Sequence, residues 1–297
     1  MDYYNQIKET LLNNEINKKV KDYSKNKVEL ESYYNVGKLL FEAGKHYGEG
    51  ILKQYSVKLT NELGKGYNVS ALKRMRQFYQ VIEKGATVSH LFTTWSHYVE
   101  LLKFNDINII NYYITQIDNR HLSVRDLRVI IKEKEYERLD ESTKEKLKNK
   151  EELSIIEEIK DPILINNKSN IDVNNIKEKV LQKIILDDIS NFLKQLGIGY
   201  AFIDSEYKIK VGNTYNYIDI LLYNVLYHSY VVVELKVTTL KKEHIGQIEI
   251  YMNYIDYNIK GINDNKTIGL IVTKKNNKYI IEYSSDKRIK AIEYQII

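Results

Sequence analysis

The chain of 297 residues has no cysteine, one proline, one tryptophan and three methionines. Without cysteine there can be no disulfide and no cysteine-based zinc site. Six histidines remain, and no two are spaced as a structural zinc site requires. No apolar run approaches the ~20 residues that cross a bilayer, so no membrane partner is expected. The opening Met-Asp-Tyr-Tyr-Asn-Gln lacks the apolar core of a secretory signal, which makes the cytoplasm the expected location. Arginine and proline are scarce beside abundant Lys, Asn, Ile and Tyr, a bias expected of an AT-rich coding sequence. The lysine content by itself therefore says little about function.

This length predicts two domains, each able to bury its own core. The formal net charge of +5 is unevenly placed. Residues 1–139 hold 22 Lys and Arg against 17 Asp and Glu, whereas residues 140–297 hold 23 of each. Within Gly48–Lys84 seven basic residues face three acids. That stretch reads as a helix over Ile51–Leu63, a turn over Gly64–Asn68 and a helix over Ser70–Glu83. The pattern is helix-turn-helix-like, with Leu52, Leu59, Leu63, Leu72, Met75 and Phe78 available for its core. With Ser70 as N-cap, Lys73, Arg74, Arg76 and Gln77 would face outward, where they suit phosphates and base edges. An ordinary helical hairpin with a solvated basic face fits the same residues. Trp95, His97 and Tyr98 read as a core anchor rather than a stacking platform.

Residues 1–139 are thus expected to form an all-α nucleic-acid- or partner-binding domain. Residues 140–175 read as a charged helix and linker, because Glu141–Glu158 alternates in charge sign and is followed by Asp161-Pro162 and the polar run Asn166–Asn175. Residues 176–297 then alternate helix and strand: a helix over Ile176–Leu196, strands over Tyr200–Val211, Thr267–Thr273, Tyr279–Tyr283 and Lys290–Ile296, and between them a hairpin and a helix that carry the chemistry.

In that hairpin, Tyr217–Leu222 alternates Ile218, Ile220 and Leu222 against Asp219, and Val231, Val233 and Leu235 alternate against Glu234 and Lys236. A turn centred near Leu226 and Tyr227 sets Asp219 opposite Glu234, with Lys236 two residues along on the same face. Two carboxylates converging on a partly buried face repel unless a cation lies between them. Oxygen ligands select a hard ion, Mg²⁺ with Mn²⁺ as substitute, and the neighbouring lysine can orient or deprotonate a water, or neutralise charge on a phosphate oxygen. An interstrand salt bridge on a solvated face would use the same three residues. Downstream, Lys241–Tyr257 has helical periodicity, with Ile245, Ile248, Met252 and Ile255 as its apolar stripe. Gln247 and Tyr251 stand four apart beside that stripe.

An acid strand, a Glu-x-Lys strand and a helix bearing Gln-x-x-x-Tyr resemble the PD-(D/E)xK nuclease superfamily. Gly197–Phe202, Tyr217–Leu222, Glu234-Leu-Lys236 and Gly246-Gln247 stand in the order found in the YhcG family. Gly64–Tyr79, Trp95–Tyr98 and Leu122–Leu127 are similar to that family's first domain, so the resemblance runs from about Tyr34 to Tyr294. It implies an α+β two-domain chain: the helical domain, then an α/β restriction-endonuclease-like domain with a mixed central sheet. It also implies a Mg²⁺-dependent nuclease acting on nucleic acid, with DNA favoured over RNA, and it is compatible with a homodimer. Asp219 and Glu234 would hold the metal, helped by the Val233 or Leu235 main-chain carbonyl, Lys236 would assist the attacking water, Gln247 would position Lys236 or a phosphate, and Tyr251 would support the helix or touch the nucleic-acid backbone. The chain departs from the family at Gln182, where a helix glutamate is implied. Glu178, one turn earlier, is the candidate additional acid, whereas Asp187 and Asp188 read as solvated. A catalytically degenerate, nucleic-acid- or partner-binding module is the alternative that this departure supports.

Overall fold

A computed structural model describes residues 2–19, 25–89, 91–172, 176–282 and 286–297. The chain divides into two compact units, Met1–Tyr136 and Glu137–Ile297.

The first unit is helical. Its elements are α1 (Tyr3–Lys19), α2 (Lys25–Tyr47), α3 (Ile51–Leu63), a 3-10 turn (Lys65–Tyr67), α4 (Val69–Glu83), α5 (Trp95–Leu101), α6 (Ile107–Arg120) and α7 (Val124–Lys132). Helix α4 packs chiefly against α2, with Leu72, Met75 and Phe78 buried on its inner face. The two helices approach so closely at Gly37 that an added methyl would overlap the Met75 carbonyl oxygen. Leu52 and Leu59 of α3 are buried as expected, and Leu63 is half-buried. The start of α4 differs from expectation. Asn68, extended at φ −67° and ψ 165°, caps it by accepting from Ala71 N, so Ser70 lies inside the first turn. Trp95 packs against Tyr33 in a tilted pair and against Phe78 edge-on, with ring centroids 4.7 and 5.4 Å away, while His97 and Tyr98 are buried. That cluster is a core anchor.

The second unit contains α8 (Glu141–Lys148), β1 (Ile163–Ile165), α9 (Glu178–Asp187), α10 (Ile189–Leu196), β2 (Tyr200–Val211), β3 (Thr214–Asn224), β4 (Ser229–Thr239), α11 (Lys242–Asn258), β5 (Ile268–Lys275), α12 (Lys278–Glu282) and β6 (Ile289–Ile296). Its sheet runs β1-β6-β5-β4-β3-β2. The β2-β3-β4 meander is antiparallel, and the β4-β5, β5-β6 and β6-β1 neighbours are parallel, which makes the sheet mixed. One face carries Ile220, Leu222, Val231, Val233 and Leu235 against Leu181, Ile184, Ile185 and Phe192 of α9 and α10. The other carries Leu221, Val232 and Ile271 against Ile245, Ile248, Met252 and Ile255 of α11. Gly269 is where α11 comes closest, since a methyl there would meet Met252 Sδ at 2.5 Å.

Several expected elements are revised. The segment read as a linker is built into this unit: Ile155, Ile159, Ile163 and Ile165 enter its core, and β1 pairs with β6. The Lys290 ammonium secures it, donating to Asp140 Oδ2 at 2.9 Å and to the Ile156 and Ile159 carbonyls at 3.0 and 2.9 Å. Helix Ile176–Leu196 breaks at Asp188, whose backbone leaves the helical region at φ −135° and whose carboxylate binds Lys168 at 2.8 Å and Asn166 at 3.0 Å. The strand expected over 279–283 is instead α12, because β5 and β6 are parallel neighbours and the chain between them must cross over; Tyr283 lies outside the described residues, as do 173–175 of the polar run. Ile218 joins the α11 face rather than that of Ile220 and Leu222. The change of face lies opposite Glu206, which sits in β2 with a left-handed φ of 53°.

Candidate active site

The β3–β4 ladder runs from Asn224↔Ser229 to Ile220↔Val233 and stops there; the next positions in register are Asp219 and Glu234. Two side chains take up backbone groups where the ladder ends. Asp219 Oδ2 accepts from Leu235 N at 2.7 Å, and the Asp219 carbonyl accepts from Gln182 Nε2 at 2.8 Å. Buried backbone groups need partners. The alternation that gives β4 one apolar face leaves Glu234 and Lys236 on the other, 1% and 7% exposed.

Carboxyl groups around a single lysine dominate the electrostatics here. Lys236 Nζ lies 3.2 Å from Glu234 Oε2 and 3.7 Å from Glu178 Oε2. Glu234 Oε1, however, is buried with no hydrogen-bond partner among the described residues. Burial, and then the nearby Asp219 charge, push the Glu234 carboxyl up to about 8. Burial likewise raises Asp219, with the Leu235 N–H and Lys236 opposing. Burial would lower Lys236, but Glu234, Glu178 and Asp219 outweigh it and raise it. Three carboxyl groups thus share one lysine, and one oxygen of Glu234 has no hydrogen bond within the described residues. That donor set fits a divalent cation held by one or two protein carboxylates, waters and a substrate phosphate. Among the described residues no group of three or more His, Asp or Glu converges as a complete cage. Glu178 is drawn to Lys236 instead.

On α11, Gln247 Nε2 donates to the Tyr251 hydroxyl at 3.0 Å. Burial raises Tyr251, with Gln247 opposing and Glu234 and Lys236 near enough to contribute. Gln247 and Tyr251 line a cleft of about 430 Å³ with Val211, Thr214, Asn216 and Ile250. His244, half-buried, is lowered by burial and then by Lys236, and its Nδ1 accepts from Lys241 N. Asp187 is exposed, as expected, and takes the Ser169 hydroxyl at 2.7 Å, whereas Asp188 is buried on Lys168 rather than solvated; neither joins the site. The residue that spacing arguments left without a role is Gln182. It is 8% exposed and bonded to the strand that carries Asp219.

The basic set on α4 divides in two. Lys73 and Arg74 are exposed, as expected. Arg76 and Gln77 are not outward-facing: Arg76 Nη1 binds Glu49 Oε1 at 2.8 Å, and Gln77 donates to the Leu102 carbonyl. The turns that place those acceptors are remote in sequence, so helix periodicity alone could not find them.

Residues 156–297 match the family described as the YhcG PDDEXK nuclease domain, and residues 7–138 match the DUF1016 N-terminal domain. A relative from Escherichia coli (strain K12), described as "Putative nuclease YhcG", is 23% identical over 268 residues, covering 78% of this chain and 71% of its own. Among solved structures, a repair endonuclease from Pyrococcus abyssi overlaps 43% of this chain and 49% of that chain at 12% identity and a TM-score of 0.29. The EndoMS–dsDNA2 complex overlaps 43% and 48% at 15% identity and 0.28. At those scores neither overlap carries weight.

Proposed function

This chain belongs to the YhcG family, its second unit being a PDDEXK nuclease domain, and from that premise we propose that it is a divalent-metal-dependent nuclease that hydrolyses phosphodiester bonds in DNA. The observation that carries this reading is the buried, unpartnered Glu234 Oε1 beside Asp219 and Lys236.

In this reading Asp219 and Glu234 hold Mg²⁺, or Mn²⁺ in its place. Bound there, the ion would polarise the scissile phosphate and acidify a water. The protein groups do the rest. Leu235 N–H fixes one Asp219 oxygen, so the carboxylate keeps its orientation whether or not substrate is present. With carboxylates around it Lys236 stays a cation, which suits donation to a phosphate oxygen that gains charge and does not suit proton abstraction. Gln247 is committed to Tyr251, which makes it a support for that ring at the cleft wall rather than a direct partner of Lys236. Glu178, 44% exposed and 3.7 Å from the Lys236 ammonium, is the additional acid available to the ion.

A second reading rests on Gln182. A neutral amide where the family resemblance implies an acid suits a degenerate domain that binds nucleic acid without cutting it. Purified protein incubated with labelled linear, circular, branched and single-stranded DNA, with Mg²⁺, Mn²⁺ or a chelator, separates the two. Metal-dependent cleavage of any substrate supports the nuclease; binding without cleavage under every condition supports the degenerate module. In both readings the exposed Lys73 and Arg74 of the first unit contribute phosphate contacts.

A further inference from the structure

β4 pairs with β3 only over Ile220–Asn224, so the stretch of β3 from Thr214 to Ile218 is hydrogen-bonded to β2 alone. The outer part of the hairpin is therefore a two-stranded ribbon, a form that is marginal in water unless one side packs. Ile209 and Ile218 provide that side, buried in the α11 core. The opposite side is open. Lys208 stands across from Tyr217 and Lys210 across from Tyr215, so the four side chains share one face. Tyr215 and Tyr217 are 54% and 52% exposed, and Lys208 Nζ sits 4.0 Å above the Tyr215 ring. Residues 207–217 contain three tyrosines, two lysines and no acid. Neither lysine has an ion-pair partner among the described residues.

From this ribbon we infer that the β2–β3 hairpin is a docking arm for single-stranded nucleic acid. Aromatic rings offer stacking surfaces to any base, and ammonium groups beside them suit the intervening phosphates. Tyr215 and Tyr217 lie ~7 Å apart along the strand, about one extended nucleotide. Two residues further along β3 is Asp219, so the arm adjoins the acidic site along the strand, with Tyr215 and Tyr217 on the face opposite Ile218. A duplex, whose bases are stacked on each other, offers the tyrosines nothing. Any service of the arm to cleavage rests on the nuclease reading; the binding does not.

The test uses the full chain in a chelator, with a fluorescein-labelled oligothymidylate and a duplex of equal length, read by anisotropy. Wild type should bind the single strand more tightly than the duplex. Tyr215→Ala with Tyr217→Ala should weaken single-strand binding by about tenfold or more, whereas the paired Tyr→Phe substitutions should retain it, because stacking needs the ring and not the hydroxyl. Lys208→Gln with Lys210→Gln should flatten the log–log salt dependence by about 1.4 units. The inference is overturned if the alanine pair binds as wild type while its unfolding midpoint is unchanged, if the phenylalanine pair fails alongside it, or if the duplex binds more tightly and loses the same affinity. Intact single-strand binding without metal-dependent cleavage would remove the nuclease reading and leave the arm in place.

Discussion

Gln182 donates its side-chain amide to the Asp219 carbonyl at 2.8 Å, tying α9 to the point where the β3–β4 ladder ends. The bond satisfies a main-chain acceptor that has lost its ladder partner while Asp219's carboxylate turns to Leu235 N. In the folded protein the side chain at this departure from the family tethers α9 to the strand that carries Asp219.

Gln182→Leu should therefore cost about 1–3 kcal/mol by orphaning that carbonyl, measured by denaturant unfolding. Cleavage and Mg²⁺-induced thermal stabilisation should both fall, while Gln182→Glu, which keeps the size and loses the donor, should destabilise the ion-free protein and recover part of the loss when Mg²⁺ is added. A Gln182→Leu protein with wild-type stability and metal response would show that the bond has no role.

Glu234 gives the site a pH signature. Its carboxyl is raised in the fold from 4.5 to about 8, so between those values the folded state holds the proton more firmly than the unfolded chain. Its contribution to stability is thus complete below the lower value and is lost as pH rises through the upper one. Cation binding must displace that proton, so the Mg²⁺-dependent rise in melting temperature should grow as pH increases and level off above about 8. Glu234→Gln should abolish the trend. A metal response independent of pH in the wild type would contradict it.

The period-two alternation of β4 around Glu234 and Lys236 was legible in the chain, whereas the change of face between Ile218 and Ile220, beside Asp219, was not, because it depends on the neighbouring strand at Glu206. Helix α11 was legible from its apolar stripe. Strand β1 was not, since three apolar residues after a proline carry no periodicity, and neither was the break at Asp188, across which apolar spacing continues until Lys168 and Asn166 capture the carboxylate. The tether from Gln182 to Asp219 and those of Arg76 and Gln77 depend on partners brought close only by folding.

Because Lys290 is 9% exposed and serves Asp140, Ile156 and Ile159, residues 140–165 are part of the second unit rather than a tether before it. Lys290→Met should cost about 2–4 kcal/mol by leaving those acceptors without their donor. A fragment of residues 137–297 should fold by circular dichroism, and one of residues 176–297 should not. A folded, cooperative 176–297 fragment would restore the linker reading.

On α4 the exposed pair and the engaged pair should separate. Lys73→Gln with Arg74→Gln should weaken DNA binding and lower its log–log salt slope by about 1.8 units on a duplex. Arg76→Gln should leave the slope unchanged and shift stability by less than about 1 kcal/mol, because its partner Glu49 is 74% exposed. If the double substitution changes neither affinity nor slope, the basic face of the first unit is merely solvated.

The central claim is that Asp219 and Glu234 form a metal site for phosphodiester hydrolysis. It is tested most directly by the rate at which wild type and Glu234→Gln cleave labelled DNA in Mg²⁺ or Mn²⁺ at saturating protein, with folding and metal-free DNA binding measured alongside. Removing the carboxylate charge without changing side-chain size should lower the rate by about 10²–10³-fold or more, with fold and binding retained. A Glu234→Gln protein that cuts as fast as wild type would contradict the account.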